Sequence, residues 1–72
     1  MNAPSEITPI SLLRLFKVEE VMELLNLSRT TVYELLRTGR LRSVKEGRAR
    51  LIPAAAVADY IALLEQEARE AA

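Results

Sequence analysis

The chain has neither cysteine nor histidine among its 72 residues. Without thiols there is no disulfide and no thiolate zinc site. Without imidazole, the side chain that most often carries proton transfer at neutral pH is missing. Together the two absences argue against an enzyme and against a metal centre. A disulfide-free chain suits a reducing compartment, and the opening "MNAPSEITP" has neither the basic start nor the apolar run of a secretory leader. The longest apolar stretch, Leu51 to Leu64, is broken by Pro53 and Asp59 and falls short of the roughly 20 residues that cross a bilayer. These absences predict a cytoplasmic protein with no membrane span and no cofactor.

Net charge is absent too, because 10 Lys and Arg balance 10 Asp and Glu. The balance hides a strong segregation. Residues 1–28 carry two cations against four carboxylates, a net of −2, and residues 51–72 carry one against four, a net of −3. Between them, residues 29–50 hold Arg29, Arg37, Arg40, Arg42, Lys45, Arg48 and Arg50 against Glu34 and Glu46, a net of +5. A basic middle between acidic ends points to a localised anionic partner, since the field of one face acts at contact range even on a neutral molecule.

A chain this short makes one small domain burying about 60% of its unfolded surface, so its core is thin. Residues 1–9 carry two prolines and no periodicity, which predicts a flexible N-terminal tail ahead of a folded domain over residues 10–70. The apolar lead-in "ISLLRLF" fits an extended segment that covers the core and contributes a small strand. Val18, Val21, Met22 and Leu25 at i, i+3, i+4 and i+7 predict a helix of about two turns. Its start lacks a capping side chain, Lys17 standing where Ser, Thr or Asp would serve, but Glu19 and Glu20 suit the positive end of the helix dipole.

Asn26 then offers the left-handed turn that ends that helix. Ser28 can cap the next helix and Gly39 can close it, which places helix two over about Arg29 to Thr38 with Val32, Leu35 and Leu36 inward. The following "RLRSVKEGRARLIP" has period-two character around Glu46-Gly47 and predicts a tight hairpin. Leu41 and Val44 are the expected inward residues of its first strand. In the second strand either Leu51 or Ile52 could face inward, and a slip of one residue reverses every side chain. Pro53 fits the first turn of a last helix, where its missing amide costs nothing. That helix is predicted over about Ala54 to Glu70, with Val57, Tyr60, Ile61, Leu64 and Ala68 as its apolar stripe. The fold class is therefore mostly α with a small β-hairpin: a winged helix-turn-helix of three helices and a two-stranded wing.

Two short helices joined at Asn26 to Ser28 and followed by a basic hairpin have a direct physical use. The first helix braces against the DNA backbone while the second presents its N-terminal residues to the major groove. The run Glu20-Val21-Met22-Glu23-Leu24-Leu25-Asn26-Leu27-Ser28-Arg29-Thr30-Thr31-Val32-Tyr33, then "LLRTGRL", a basic strand and an "IP" entering a last helix, resembles the excisionase-like branch of the MerR-type winged-helix family. The resemblance spans about residues 15–64. It departs at Lys17, where Thr or Ser is usual, and at Asn26, where Gly is usual. It implies a DNA-binding protein of a phage or other mobile element that occupies repeated sites and bends DNA.

On the recognition helix the candidate DNA-binding residues are Ser28, Arg29, Thr30, Thr31, Tyr33 and Arg37. Arg29 is placed for a base edge, since a guanidinium can bond guanine twice; a phosphate contact is its alternative. Thr30 and Thr31 are short enough to let the helix approach closely and can meet phosphate or a thymine methyl. Tyr33 could give its hydroxyl to a phosphate or pack half-buried on helix one. Arg37 and Arg40 fit backbone contact, and Arg37 also complements the helix C-terminus. On the wing, Lys45, Arg48 and Arg50 can reach the adjoining minor groove. No carboxylate pair is placed by spacing for catalysis or metal binding.

An excisionase would bind double-stranded DNA beside an attachment site and, with an integrase, set the direction of recombination. Cooperative, head-to-tail self-association of wing against acidic end would help it. The same fold also suits a small transcription regulator, and a third reading is a protein-interaction module acting through the last helix. Only four residues follow Ala68, the last expected core position, so no small-molecule effector is expected.

Overall fold

Two helix ends and one serine organise the first half of the domain. In the computed structural model, residues 13–71 are described, and they run β1 (Leu15–Phe16), α1 (Val18–Leu25), α2 (Arg29–Thr38), β2 (Val44–Glu46), β3 (Ala49–Pro53) and α3 (Ala54–Ala71). The tail expected over residues 1–9 lies outside the described residues. Helix α1 starts without a capping side chain, as expected from Lys17, which has no acceptor. Glu20 Oε1 instead accepts from the Lys17 amide at 2.8 Å, supplying one half of a capping box. The helix ends at Asn26, whose φ of 56° and ψ of 46° are left-handed. The Leu27 amide closes the turn by donating to the Met22 carbonyl at 3.0 Å.

Helix α2 begins at Ser28, whose Oγ accepts from the Thr31 amide at 3.2 Å, and ends at Gly39 with φ of 81°. A Cβ at Gly39 would meet no neighbouring atom, so the glycine serves backbone conformation alone. Val32, Leu35 and Leu36 are buried as the periodicity predicts. They pack with Val18 and Val21 of α1 and with Leu41, Ile52, Ala56, Val57 and Tyr60, and Phe16, Met22, Leu25 and Leu27 close the margin.

The strands form an antiparallel sheet in the order β1-β3-β2, so the lead-in does contribute a strand and the wing is continuous with it. Phe16 pairs with Ile52 and Leu15 with Pro53 on one side of β3; Val44, Lys45 and Glu46 pair with Leu51, Arg50 and Ala49 on the other. Ile52 is fully buried, which settles the register left open by the sequence. It also corrects the expectation for Val44. Directly paired residues share a face and neighbours along a strand alternate. With Ile52 inward, the Val44–Leu51 pair is turned to the other face, and Val44 is 43% exposed. Leu41 does enter the core, from the bend ahead of β2. The hairpin turns on Gly47-Arg48 rather than Glu46-Gly47, with Gly47 alone of the two at positive φ, 61°.

Two further expectations are corrected in α3. Pro53 is the last residue of β3, not part of the helix. The Ala54 amide that follows donates to the Arg14 carbonyl at 2.8 Å and ties the helix start to β1. Of the predicted stripe, Val57 and Tyr60 are buried, joined by Ala54 and Ala56, while Ile61 and Leu64 are each 41% exposed and Ala68 is exposed. An 18-residue helix is about 27 Å long. The core of so small a domain is shorter, and the distal turns outrun it.

Candidate nucleic-acid interface

The side of α2 turned away from the core carries Arg29, Tyr33 and Arg37, spaced four residues apart and therefore stacked along one face. Thr30 and Thr31 flank Arg29 in the exposed first turn. Tyr33 is 46% exposed and stands outside the core cluster. It helps to line a cleft of about 340 Å³ whose walls are Lys17, Val18 and Glu19 from the start of α1 and Arg48, Ala49, Arg50 and Leu51 from the wing. The structure thus brings Tyr33 of α2 together with Arg48 and Arg50 of the wing in the lining of one open cleft.

Within that first turn, Ser28 and Thr31 are occupied with each other. The Ser28 hydroxyl donates to Thr31 Oγ1 at 2.9 Å while accepting the Thr31 amide. Arg29 meets Glu19, with Nη1 3.3 Å from Oε2. Hydrogen bonding by its own backbone amide, and then by Arg29, holds the Glu19 carboxyl below its usual range. Arg37 is bound through both Nε and Nη2 by Glu34 one turn earlier.

Arg40 is paired across the fold. Both of its Nη atoms reach the carboxylate of Glu67 on α3, at 2.9 and 3.0 Å, and its guanidinium lies 5.9 Å from the centre of the Tyr60 ring. This reciprocal hydrogen bonding raises the Arg40 pKa and lowers that of Glu67. Arg42 forms a single ion-pair contact with Asp59, 3.1 Å away. Both side chains tie the segment after α2 to α3.

The wing is different. Lys45, Arg48 and Arg50 are all exposed, and none has an ion-pair partner among the described residues. Of the seven cations that make the middle of the chain basic, four are matched by carboxylates and these three are not. The positive field is therefore concentrated on the hairpin. Among the described residues no group of acidic side chains could hold a metal ion, and no helix is long and apolar enough to cross a membrane.

Two participants were invisible in the sequence. Glu19 reads as an ordinary first-turn acid, and its partner lies ten residues away with a chain reversal between. Arg42 counted toward the basic segment without a role of its own.

Residues 15–62 match the helix-turn-helix domain family. An excisionase of Streptomyces ambofaciens is 49% identical over 47 residues, covering 65% of this chain and 76% of that protein. A probable excisionase of Saccharopolyspora erythraea is 46% identical over 50 residues, covering 69% of this chain and 51% of the relative. No solved structure matches the chain significantly. The family match runs from β1 into α3 and takes in both helices, the cleft and the wing, and the chain belongs to the excisionase-like helix-turn-helix family.

Proposed function

We propose that the chain is an excisionase, a protein that binds and bends duplex DNA at repeated sites and, with an integrase, sets the direction of recombination. One observation carries the reading: Tyr33, on the exposed face of α2, lines one cleft with Arg48 and Arg50 of an uncompensated basic wing. The names of the relatives point the same way. Helix α2 enters the major groove with its N-terminal turn leading, Arg29 toward a base edge and Thr30 toward a thymine methyl or phosphate. Tyr33 and Arg37 follow along the backbone, and Lys45, Arg48 and Arg50 reach over the adjoining phosphates into the minor groove. Ser28 and Thr31 shape the leading turn. Arg40 keeps the helix end fixed to α3.

The chain supplies architecture, and strand cleavage is left to the integrase. A domain of this size makes on the order of six to ten phosphate contacts, so single copies bind weakly and with steep salt dependence. Several copies on adjacent sites, touching wing to acidic end, overcome that weakness. Such work is done in the cytoplasm, without a small-molecule effector.

The test joins binding to recombination. Arg29→Ala with Arg48→Ala should abolish the specific gel shift while the circular dichroism spectrum stays that of the folded domain. The same variant should fail to redirect the integrase on a plasmid substrate. Undiminished recombination by that variant would favour an interaction module acting through α3, and specific binding that controls a promoter but never integrase direction would favour a transcription regulator.

A further inference from the structure

We propose that Glu19, on the bracing helix α1, is a positioning residue that aims Arg29 at its base and so sets the sequence specificity of α2; this rests on the reading of α2 as the base-contacting helix. A carboxylate is out of place on a surface that meets phosphates, yet Glu19 is an exposed wall of the cleft between α2 and the wing. The start of α1 favours a carboxylate here, through the amide of Glu19 itself, as it does at Glu20, which accepts from the Lys17 amide. Glu19 also holds Arg29.

The form of the contact matters. Arg37 and Arg40 each give two nitrogens to their carboxylates, which occupies a whole edge of the guanidinium. Arg29 gives Glu19 Nη1 alone. A guanidinium carries five N–H donors in a fixed fork, so the remaining edge can still meet the two acceptors of guanine. An exposed ion pair adds little stability, but anchoring one corner of a long side chain removes rotamers that would otherwise be lost on binding. Ionised at neutral pH, Glu19 also repels phosphate, which disfavours docking in which Arg29 settles on the backbone.

Simple charge removal and loss of positioning make opposite predictions. Wild type, Glu19→Ala, Glu19→Gln, Arg29→Ala and the Glu19→Ala/Arg29→Ala double variant are titrated by fluorescence anisotropy. One duplex is the best site that wild type selects from a randomised pool, and the other is its scramble. Glu19→Ala should tighten binding to the scramble yet lower the ratio of selected to scrambled affinity roughly tenfold, relaxing preference at one base pair. Glu19→Gln, which keeps an acceptor oxygen, should restore part of the ratio. Adding Glu19→Ala to Arg29→Ala should lower the ratio no further.

Equal tightening on both duplexes by Glu19→Ala would overturn the proposal. So would a relaxation at that base pair caused by Glu19→Ala even in the Arg29→Ala background, since Glu19 would then be reading the base itself. If Arg29→Ala leaves the ratio intact, the recognition-helix reading falls and takes this inference with it. If Arg29→Ala collapses the ratio and Glu19→Ala does not, only the positioning role is lost.

Discussion

Lys45 and Arg50 stand directly opposite each other on the antiparallel strands of the wing. Like charges in facing cross-strand positions destabilise a hairpin, and no described carboxylate is close enough to relieve this pair. A fold that tolerates the repulsion is poised to gain from an anion lying across both strands. Lys45→Ala should therefore leave stability unchanged or raise it by a few tenths of a kcal/mol, up to about 1 kcal/mol. The same change should weaken DNA binding at every sequence and reduce the slope of log affinity against log salt by about 0.9. Thermal melts and titrations at several salt concentrations check both. A lower melting temperature with an unchanged slope would mean that the pair serves the hairpin.

Asn26 is the only residue other than glycine with positive φ among the described residues. Replacing it by glycine, which bears no Cβ, should hold or raise stability, while Asn26→Ala should cost about 1–2 kcal/mol. In a domain of this size that loss lowers the melting temperature by roughly 4–8 °C per kcal/mol. DNA specificity per folded molecule should not change, because the turn fixes the angle between α1 and α2 without touching the groove face.

What was legible in the sequence is what local chemistry decides. Asn26, Ser28 and Gly39 mark helix ends through their own backbone preferences and side-chain oxygens, and the spans of α1 and α2 were readable from them. Val44 was misread because its facing depends on Ile52 across the hairpin, a pairing that no single strand contains. Ile61 and Leu64 keep helical spacing beyond the point where the core ends, and periodicity carries no information about where a partner surface stops. The charge count located the basic segment but could not say which of its side chains are paired within the domain. Arg40 and Glu67, 27 residues apart, cancel in space, and what remains is the wing.

The packing beneath the start of α3 should matter far more to stability than the side chains of its distal half. Ile52→Ala removes a fully buried side chain against which the start of α3 packs, and should cost about 2–5 kcal/mol, enough to unfold much of a population whose total stability is only about 3–5 kcal/mol. Leu64→Ala, on the half that outruns the core, should cost under about 1 kcal/mol. Urea titration followed by circular dichroism separates them. A large loss from Leu64→Ala would show that the distal half is buried in solution, against another copy or another protein.

The Arg40–Glu67 pair links stability to acid. Glu67 is depressed below its ordinary pKa of 4.5, and so is Glu19 beside Arg29. A carboxylate with a lowered folded pKa contributes stability that is fully present above the unfolded value and is lost as pH falls through the folded one. Melting temperature should therefore drop as pH falls from roughly 5 to 3, and the drop should be shallower in Glu67→Gln. Both side chains are exposed, so added salt should flatten the difference. An identical acid profile in the variant would remove Glu67 from the account.

The proposed head-to-tail assembly on DNA would have fewer acidic residues to draw on than the net charge of α3 suggests. Asp59 and Glu67 are already matched by Arg42 and Arg40 of the same molecule. Glu65 has no cation within ion-pair range among the described residues, and Glu70 only accepts from the Gln66 amide. If the unmatched wing of one copy docks on the next, Glu65 and Glu70 are the groups that receive it. Glu65→Lys with Glu70→Lys should then abolish cooperative binding to tandem sites while leaving affinity for a single site equal or tighter, since the added charge attracts DNA. Tandem-site titrations that are non-cooperative in wild type, or equally cooperative in the reversed variant, would rule the contact out.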